Sequence, residues 1–403
     1  MRKSLTILTG ILVCALTVVG ATSRTETSAT QLEPLTPTAL SVVALNQRIA
    51  EARQLLQASA TISRDSVRLA ALNSTSGELT TIPLPKDEFL TRNADLEATT
   101  GAGNRVRVRI VRANGVNTAV TISDATTDQS LLPLVVQFPI VRDGAITEVA
   151  YYTSVHPALL SSELTSNGQS YIRTMLDQAA ANLAAQGVTI PSDIVDIAEH
   201  LCVVEHTDHK RFITENAGDL FPEILSLYAL NQGNTFRYSV STAGAGGMIQ
   251  MIPKTYEAIR QSHPNAALNP DFVTGMRDHS NALKAMLLYM NDTWNGLADS
   301  SEVQEALNQG IASKPELLAA GYNSNPRRLA GYLKEGGAGW RGLIPAETQM
   351  YLAIYGSVDK TLKLTSASAT AGQSTGLALS VEAPKPFPIL SWLRTSLVSA
   401  MFR

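Results

Sequence analysis

Cysteine is nearly absent. The chain has two, Cys14 and Cys202, in 403 residues. One falls within the first twenty residues, so a disulfide framework is excluded and stability must come from apolar packing. Cys202 lies in an apolar run and reads as a small buried hydrophobe. A basic excess is also missing: 32 Lys and Arg against 35 Asp and Glu leave a net charge of -3. With no surplus cations to neutralise phosphates, nucleic acid is not an expected partner. No internal repeat recurs, which sets repeat architectures aside. The apolar share of 44% is that of a globular protein, and the length calls for at least two domains.

The N-terminus carries a targeting pattern. Met1-Arg2-Lys3 is basic, Leu5 to Val19 is apolar, and Val19-Gly20-Ala21 offers small residues. This predicts a signal peptide over 1–21 and an exported protein, periplasmic or associated with the cell envelope; the alternative is an uncleaved membrane anchor. Cys14 is not read as a lipidation site, because Val13 stands where a small residue is needed. Residues 22–40 are rich in Thr, Ser and Pro and read as a tether.

Residues 41–155 read as a small α+β domain without assigned chemistry. Val42 to Leu72 has helical spacing, whereas Arg105-Val106-Arg107-Val108-Arg109-Ile110 alternates strictly, as a strand with one wet face does. Asn114-Gly115 and Asp143-Gly144 are tight hairpin dipeptides. The stripe Arg105, Arg107, Arg109 is expected to be a solvated strand face. Residues 156–360 change to helical periodicity. Tyr171 to Ala185 carries Ile172, Met175, Leu176, Ala179 and Leu183 on one stripe, with Gly187 as its stop, and Ser192-Asp193 offers cap chemistry for the next helix. The Ser/Thr/Ala-rich stretch within 361–383 reads as a flexible linker. The tail 384–403 gathers Phe387, Trp392, Leu393 and Phe402, and would contact a membrane surface or dock on the protein itself. The overall fold class is α+β.

In the helix that starts near Ser192, apolar residues recur at Ile194, Ile197, Leu201 and Val204. Glu205 lies eleven residues past Ile194, about three turns of helix, and so shares the inward face. A carboxylate against apolar surface is harder to ionise and can serve as a general acid. The bland alternative is a glutamate at a helix end that bends into solvent, because burying an unpaired carboxylate is costly. Spacing alone does not separate the two.

Downstream, Ser241 to Tyr256 reads STAGAGGMIQMIPKTY, a Gly/Ala-rich turn that lets backbone approach a ligand. The run resembles the central motif of the soluble lytic transglycosylases, a lysozyme-like family. Two more segments resemble the family in the same order: Ala319-Ala320-Gly321-Tyr322-Asn323-Ser324-Asn325-Pro326, and Ile344-Pro345-Ala346-Glu347-Thr348-Gln349-Met350-Tyr351. Asn281 to Met290 fits the family helix between these motifs. The resemblance spans roughly residues 190–356. It implies a mainly helical, lysozyme-like catalytic domain preceded by the α+β domain. It makes Glu205 the catalytic acid, places Ser241, Met248 and Gln250 along the sugar groove, sets Tyr322 and Asn323 opposite the acid, and puts Glu347 and Tyr351 in the far wall.

There are two departures. His206 replaces the serine that usually follows the catalytic glutamate, and a helix-like insert around Leu220 to Leu230 lengthens the gap before Ser241. The insert makes Glu215 and Glu223 rivals of Glu205.

The implied reaction is cleavage of the β-1,4 bond between N-acetylmuramic acid and N-acetylglucosamine in peptidoglycan. One Glu acts as acid and then base, giving 1,6-anhydro-muramic ends with no metal or other cofactor. The alternatives are a hydrolytic muramidase with Asp208 as second carboxylate, a non-catalytic wall-binding module, and a zinc peptidase built on Cys202, Glu205 and His206 with neighbouring His200, Asp208 and His209.

Overall fold

The computed structural model describes residues 41–58 and 62–372. The expected leader (1–21), the tether (22–40), the tail (384–403) and the end of the linker lie outside the described residues.

Helix α1 (Val42–Gln57) is capped by Ser41, whose hydroxyl accepts from the Ala44 amide. Its apolar stripe, Leu45, Ile49, Ala52 and Leu56, is buried against a sheet of seven antiparallel strands. These are β1 (Ser66–Asn73), β2 (Leu79–Pro85), β3 (Asp95–Thr99), β4 (Arg105–Arg112), β5 (Ala119–Asp124), β6 (Ser130–Arg142) and β7 (Ala145–Tyr152), with a one-turn helix α2 (Lys86–Phe89) after β2. The order is β2-β1-β6-β5-β4-β3, with β7 also paired to β6. The sheet curls until its two ends meet, where the Gly101 amide donates to the Thr81 carbonyl at 2.8 Å.

Three expectations are corrected here. The helix expected over Val42 to Leu72 ends at Gln57, and Ser66–Asn73 is a strand between β2 and β6. Val67 and Leu69 to Leu72 are all buried, and a short run apolar on both faces carries no period that separates strand from helix. Asn114-Gly115 is not a two-residue hairpin: a 3-10 turn over Gly115–Asn117 joins β4 to β5, and Asn114 keeps a negative φ. Ser192 and Asp193 do not cap the following helix, because Pro191 holds that position with no side-chain bond.

Asp143-Gly144 does form its tight turn, with both residues at positive φ. Arg105, Arg107 and Arg109 are exposed, beside Glu97, Asp128 and Asp95. They form a solvated, charge-matched face, and such pairs contribute about 0–1 kcal/mol each.

The remainder is helical: α3 (Ser162–Ala185), α4 (Ser192–Val204), α5 (His209–Thr214), α6 (Ala217–Asn231), α7 (Pro253–Ser262), α8 (Phe272–Arg277) and α9 (His279–Ala298). Then come α10 (Ser301–Asn308), α11 (Lys314–Asn323), α12 (Leu329–Gly336) and α13 (Ala346–Gly372). Pro253 and Pro315 sit in the first turn of their helices, where the missing N–H costs nothing. Helix α13 runs into the segment expected to be a linker.

Helix α9 buries Ala282, Leu283 and Ala285 to Leu288, and is central to the helical core. Gly168 lets α3 touch α6, since a Cβ there would lie 1.8 Å from the Leu225 carbonyl oxygen. Helix α6 belongs to both cores. Its Leu227 and Leu230 join the sheet's cluster, while Phe221 and Leu225 join the helical one. Its Asn231 side chain accepts from the Thr153 amide (2.8 Å) and donates to the Thr153 carbonyl (2.9 Å). The insert is thus the joint between the two parts. The architecture is α+β.

Candidate active site

Ile194, Val195, Ile197, Ala198 and Leu201 to Val204 bury α4 among the helical core, and Glu205 is its C-terminal cap residue. A helix end leaves orphan carbonyls. Here the Cys202 carbonyl accepts from the Tyr228 hydroxyl of α6 at 3.0 Å, and the Val203 carbonyl accepts from the Thr207 hydroxyl at 2.9 Å. The insert helix therefore completes the end of the helix that presents Glu205. That end is also the negative pole of the helix dipole, an unfavourable place for a carboxylate.

The Glu205 side chain is half-buried, and its Oε1 accepts a hydrogen bond from the Tyr351 hydroxyl at 2.5 Å. Loss of water raises its pKa to about 8, the Tyr351 bond opposes the rise, and the nearby charge of Glu347 adds to it. The carboxyl is therefore largely protonated at neutral pH. With Oε1 accepting from Tyr351, Oε2 is the better-placed oxygen for the proton. Tyr351 is buried in α13 and Glu347 lies exposed one turn earlier on the same face. Tyr322 of α11 donates to the Ile249 carbonyl at 2.8 Å and stands edge-on to Tyr289. Burial first, and the Glu205 charge second, hold the Tyr322 and Tyr351 hydroxyls well above their ordinary pKa. Both remain donors, and both lie within electrostatic reach of the carboxyl.

The loop Ser239 to Met251 folds on itself. The Ser241 hydroxyl accepts from the Ala245 amide at 3.0 Å, and the Gly247 amide donates to the Ser239 carbonyl at 3.0 Å. Gly247 has φ 70°, and a Cβ on it would lie 2.3 Å from the Met276 carbonyl oxygen, so only glycine fits. Gln250 takes φ 46° and donates from its amide to the Gly247 carbonyl (2.8 Å) and the Ser239 hydroxyl (3.2 Å). Of the three residues expected along the groove, Ser241 and Gln250 use their polar groups to shape this loop. The third, Met248, has its side chain fully buried in the core, so its contribution here is its carbonyl.

Asn323 accepts from the buried Thr348 hydroxyl at 2.8 Å, which ties α11 to α13. The structure thus draws Glu205, Tyr322, Glu347, Tyr351 and the loop into one neighbourhood, with Asn323 as a brace.

The rival glutamates sit elsewhere. Glu215 and Glu223 both pair with Arg211, at 2.7 and 2.9 Å, and Arg112 lies 3.9 Å from Glu223. Asp208 caps α5 by accepting from the Arg211 amide at 2.8 Å. Cys202 is buried and the His206 Nε2 is bonded to the Met248 carbonyl, so the zinc-like spacing gathers no ligand set. Among the described residues, no three His, Cys, Asp or Glu side chains come together to hold a metal ion.

Sequence reasoning missed Tyr228, Phe236, Tyr289 and Thr348. Thr348 lies inside the closing motif, whereas Phe236 carries no sequence signal. Among the described residues, no helix is long and apolar enough to cross a membrane. Compared with known proteins, the chain matches no family model, no curated protein and no solved structure.

Proposed function

We propose that this protein is a lytic transglycosylase of the bacterial cell wall, exported and acting on peptidoglycan glycan strands, with a lysozyme-like helical domain. The observation that carries this reading is the Glu205 carboxyl, half-buried at the end of the buried helix α4 and hydrogen-bonded by Tyr351, where loss of water raises its pKa. The reaction is what the resemblance of the three motifs to the soluble lytic transglycosylases implies.

In this reading Glu205 Oε2 gives its proton to the glycosidic oxygen as the bond to the muramic C1 breaks. The N-acetyl carbonyl of the muramic sugar stabilises the cationic carbon. Glu205, now a carboxylate steadied by the Tyr351 hydroxyl, takes the proton from the sugar's 6-hydroxyl, and that oxygen closes on C1. The products are a 1,6-anhydro-muramic end and a free N-acetylglucosamine hydroxyl, with no water consumed.

Hydrolysis is the second reading: Asp208 is engaged as the cap of α5, which leaves Glu347, exposed on α13 one turn before Tyr351, as the candidate second carboxylate in its place. Glu205→Gln tests the shared step. Release of soluble muropeptides should fall to background while the folded protein still sediments with sacculi. Turnover at the wild-type rate would remove Glu205 from the mechanism. Wall binding by a wild type without turnover would mark a binding module.

A further inference from the structure

Glu205 is not oriented by its own helix alone. The ring of His206 lies flat on Phe236, with centroids 3.4 Å apart and planes 3° apart, and its Nε2 lies 2.9 Å from the Met248 carbonyl. A carbonyl only accepts, so Nε2 carries a proton and donates it to the loop, the Nε2–H form of the ring. Burial pushes the His206 pKa down to about 3, so the ring keeps this form through the neutral range.

Phe236 sits in the stretch after the insert helix α6 and takes φ 54°, a costly conformation for a bulky residue. Such strain persists only where surroundings enforce it, and it gathers at functional sites. Phe236 in turn stands edge-on to Tyr228, the residue that caps the Cys202 carbonyl. Gln250, on the other side of the Met248 bond, is strained in the same way at φ 46°. A serine after the glutamate would supply neither the ring that covers Phe236 nor a donor with the reach of the imidazole.

We propose that His206 is a positioning residue: clamped between Phe236 and the Met248 carbonyl, it locks the Glu205 backbone to the Gly247–Gln250 loop and keeps water from behind the acid. This rests on the reading of Glu205 as the acid, and it gives the insert a role in the reaction.

The test uses the full chain carrying His206→Ser, His206→Gln or Phe236→Leu, with thermal melts as a folding control. Muropeptide release supplies kcat and KM, and carbon-13 NMR of the Glu205 carboxyl supplies its titration without substrate. For His206→Ser, kcat should fall on the order of 10²-fold with KM close to wild type, and the Glu205 titration should move down as water enters. His206→Gln keeps a donor near the Nε2 position and should recover much of kcat. Should His206→Ser fail to fold, Phe236→Leu leaves the His206 ring and its Met248 bond in place, removes the stack together with the edge contact to Tyr228, and should move kcat and the titration in the same directions. Wild-type kcat in these variants overturns the proposal. So does equal loss in Ser and Gln with the Glu205 titration unmoved, which marks a merely structural residue. A shifted titration in a protein whose wild type has no wall activity would sink the proposed reaction and leave the positioning role standing.

Discussion

Tyr351→Phe removes one hydroxyl from a buried ring and leaves its contacts otherwise intact. That hydroxyl donates to Glu205 Oε1 at 2.5 Å, and it stabilises the carboxylate more than the acid. A hydrogen bond to a charged group contributes about 1.5–3 kcal/mol, less to its neutral form, so the difference between the two states is roughly 1.4 kcal/mol, or about one pKa unit. Glu347 still pushes the Glu205 pKa upward in the variant, so nothing compensates. The observable is the alkaline limb of kcat/KM for muropeptide release, which reports ionisation of the free enzyme's acid. In the wild type, activity should fall as pH rises through about 8. In Tyr351→Phe the fall should come roughly one unit higher, with kcat reduced about 3- to 10-fold because the carboxylate left after proton donation has lost its donor. A limb that stays in place or moves down would refute the assignment of that hydrogen bond to the acid.

Glu205→Gln should also change how stability depends on pH. The folded pKa is raised from 4.5 to about 8, so the wild type's favourable contribution is complete below about 4.5 and is lost as pH climbs through about 8. Relative to the Gln variant, the wild type should lose on the order of 1–3 kcal/mol between pH 5 and 9 in urea melts, allowing for partial exposure. A constant difference contradicts this. Asn231→Ala strands the buried amide and carbonyl of Thr153 and should cost about 2–4 kcal/mol; a loss within about 0.5 kcal/mol would show the joint between the two cores to be incidental. Gly247→Ala places a Cβ against the Met276 carbonyl at positive φ. It should keep the helical circular dichroism while cutting turnover on the order of 10²-fold, and an unchanged rate would detach this loop from the reaction.

Helical phase places Glu205 on the inward side of α4, but it does not decide between a held carboxyl and one that bends into solvent; the half-buried cap position and the Tyr351 bond come from the structure. The family resemblance implies Tyr322 opposite the acid and Tyr351 in the far wall; the bond from the Tyr351 hydroxyl to Glu205 is visible only in the structure. What was not legible is how polar groups are spent. Ser241 and Gln250 close a loop on themselves, a matter of a few ångströms of backbone path that spacing does not record. Ser66–Asn73 is not legible as a strand because both of its faces are covered and its apolar run has no period. The insert before Ser241 brings two further glutamates, Glu215 and Glu223, as rivals of Glu205. In the structure both close an ion-pair cluster on Arg211, and the insert's Tyr228 caps the end of α4. That outcome depends on tertiary contacts between segments far apart in the chain, and no local pattern carries it.

The central claim is that one carboxyl both opens the bond and closes the ring without water. Digesting purified sacculi in oxygen-18 water and analysing the new ends by mass spectrometry addresses it directly. The expected ends are 1,6-anhydro-muramic residues without oxygen-18. Reducing ends that carry the label would contradict the claim and mark the enzyme as a hydrolase.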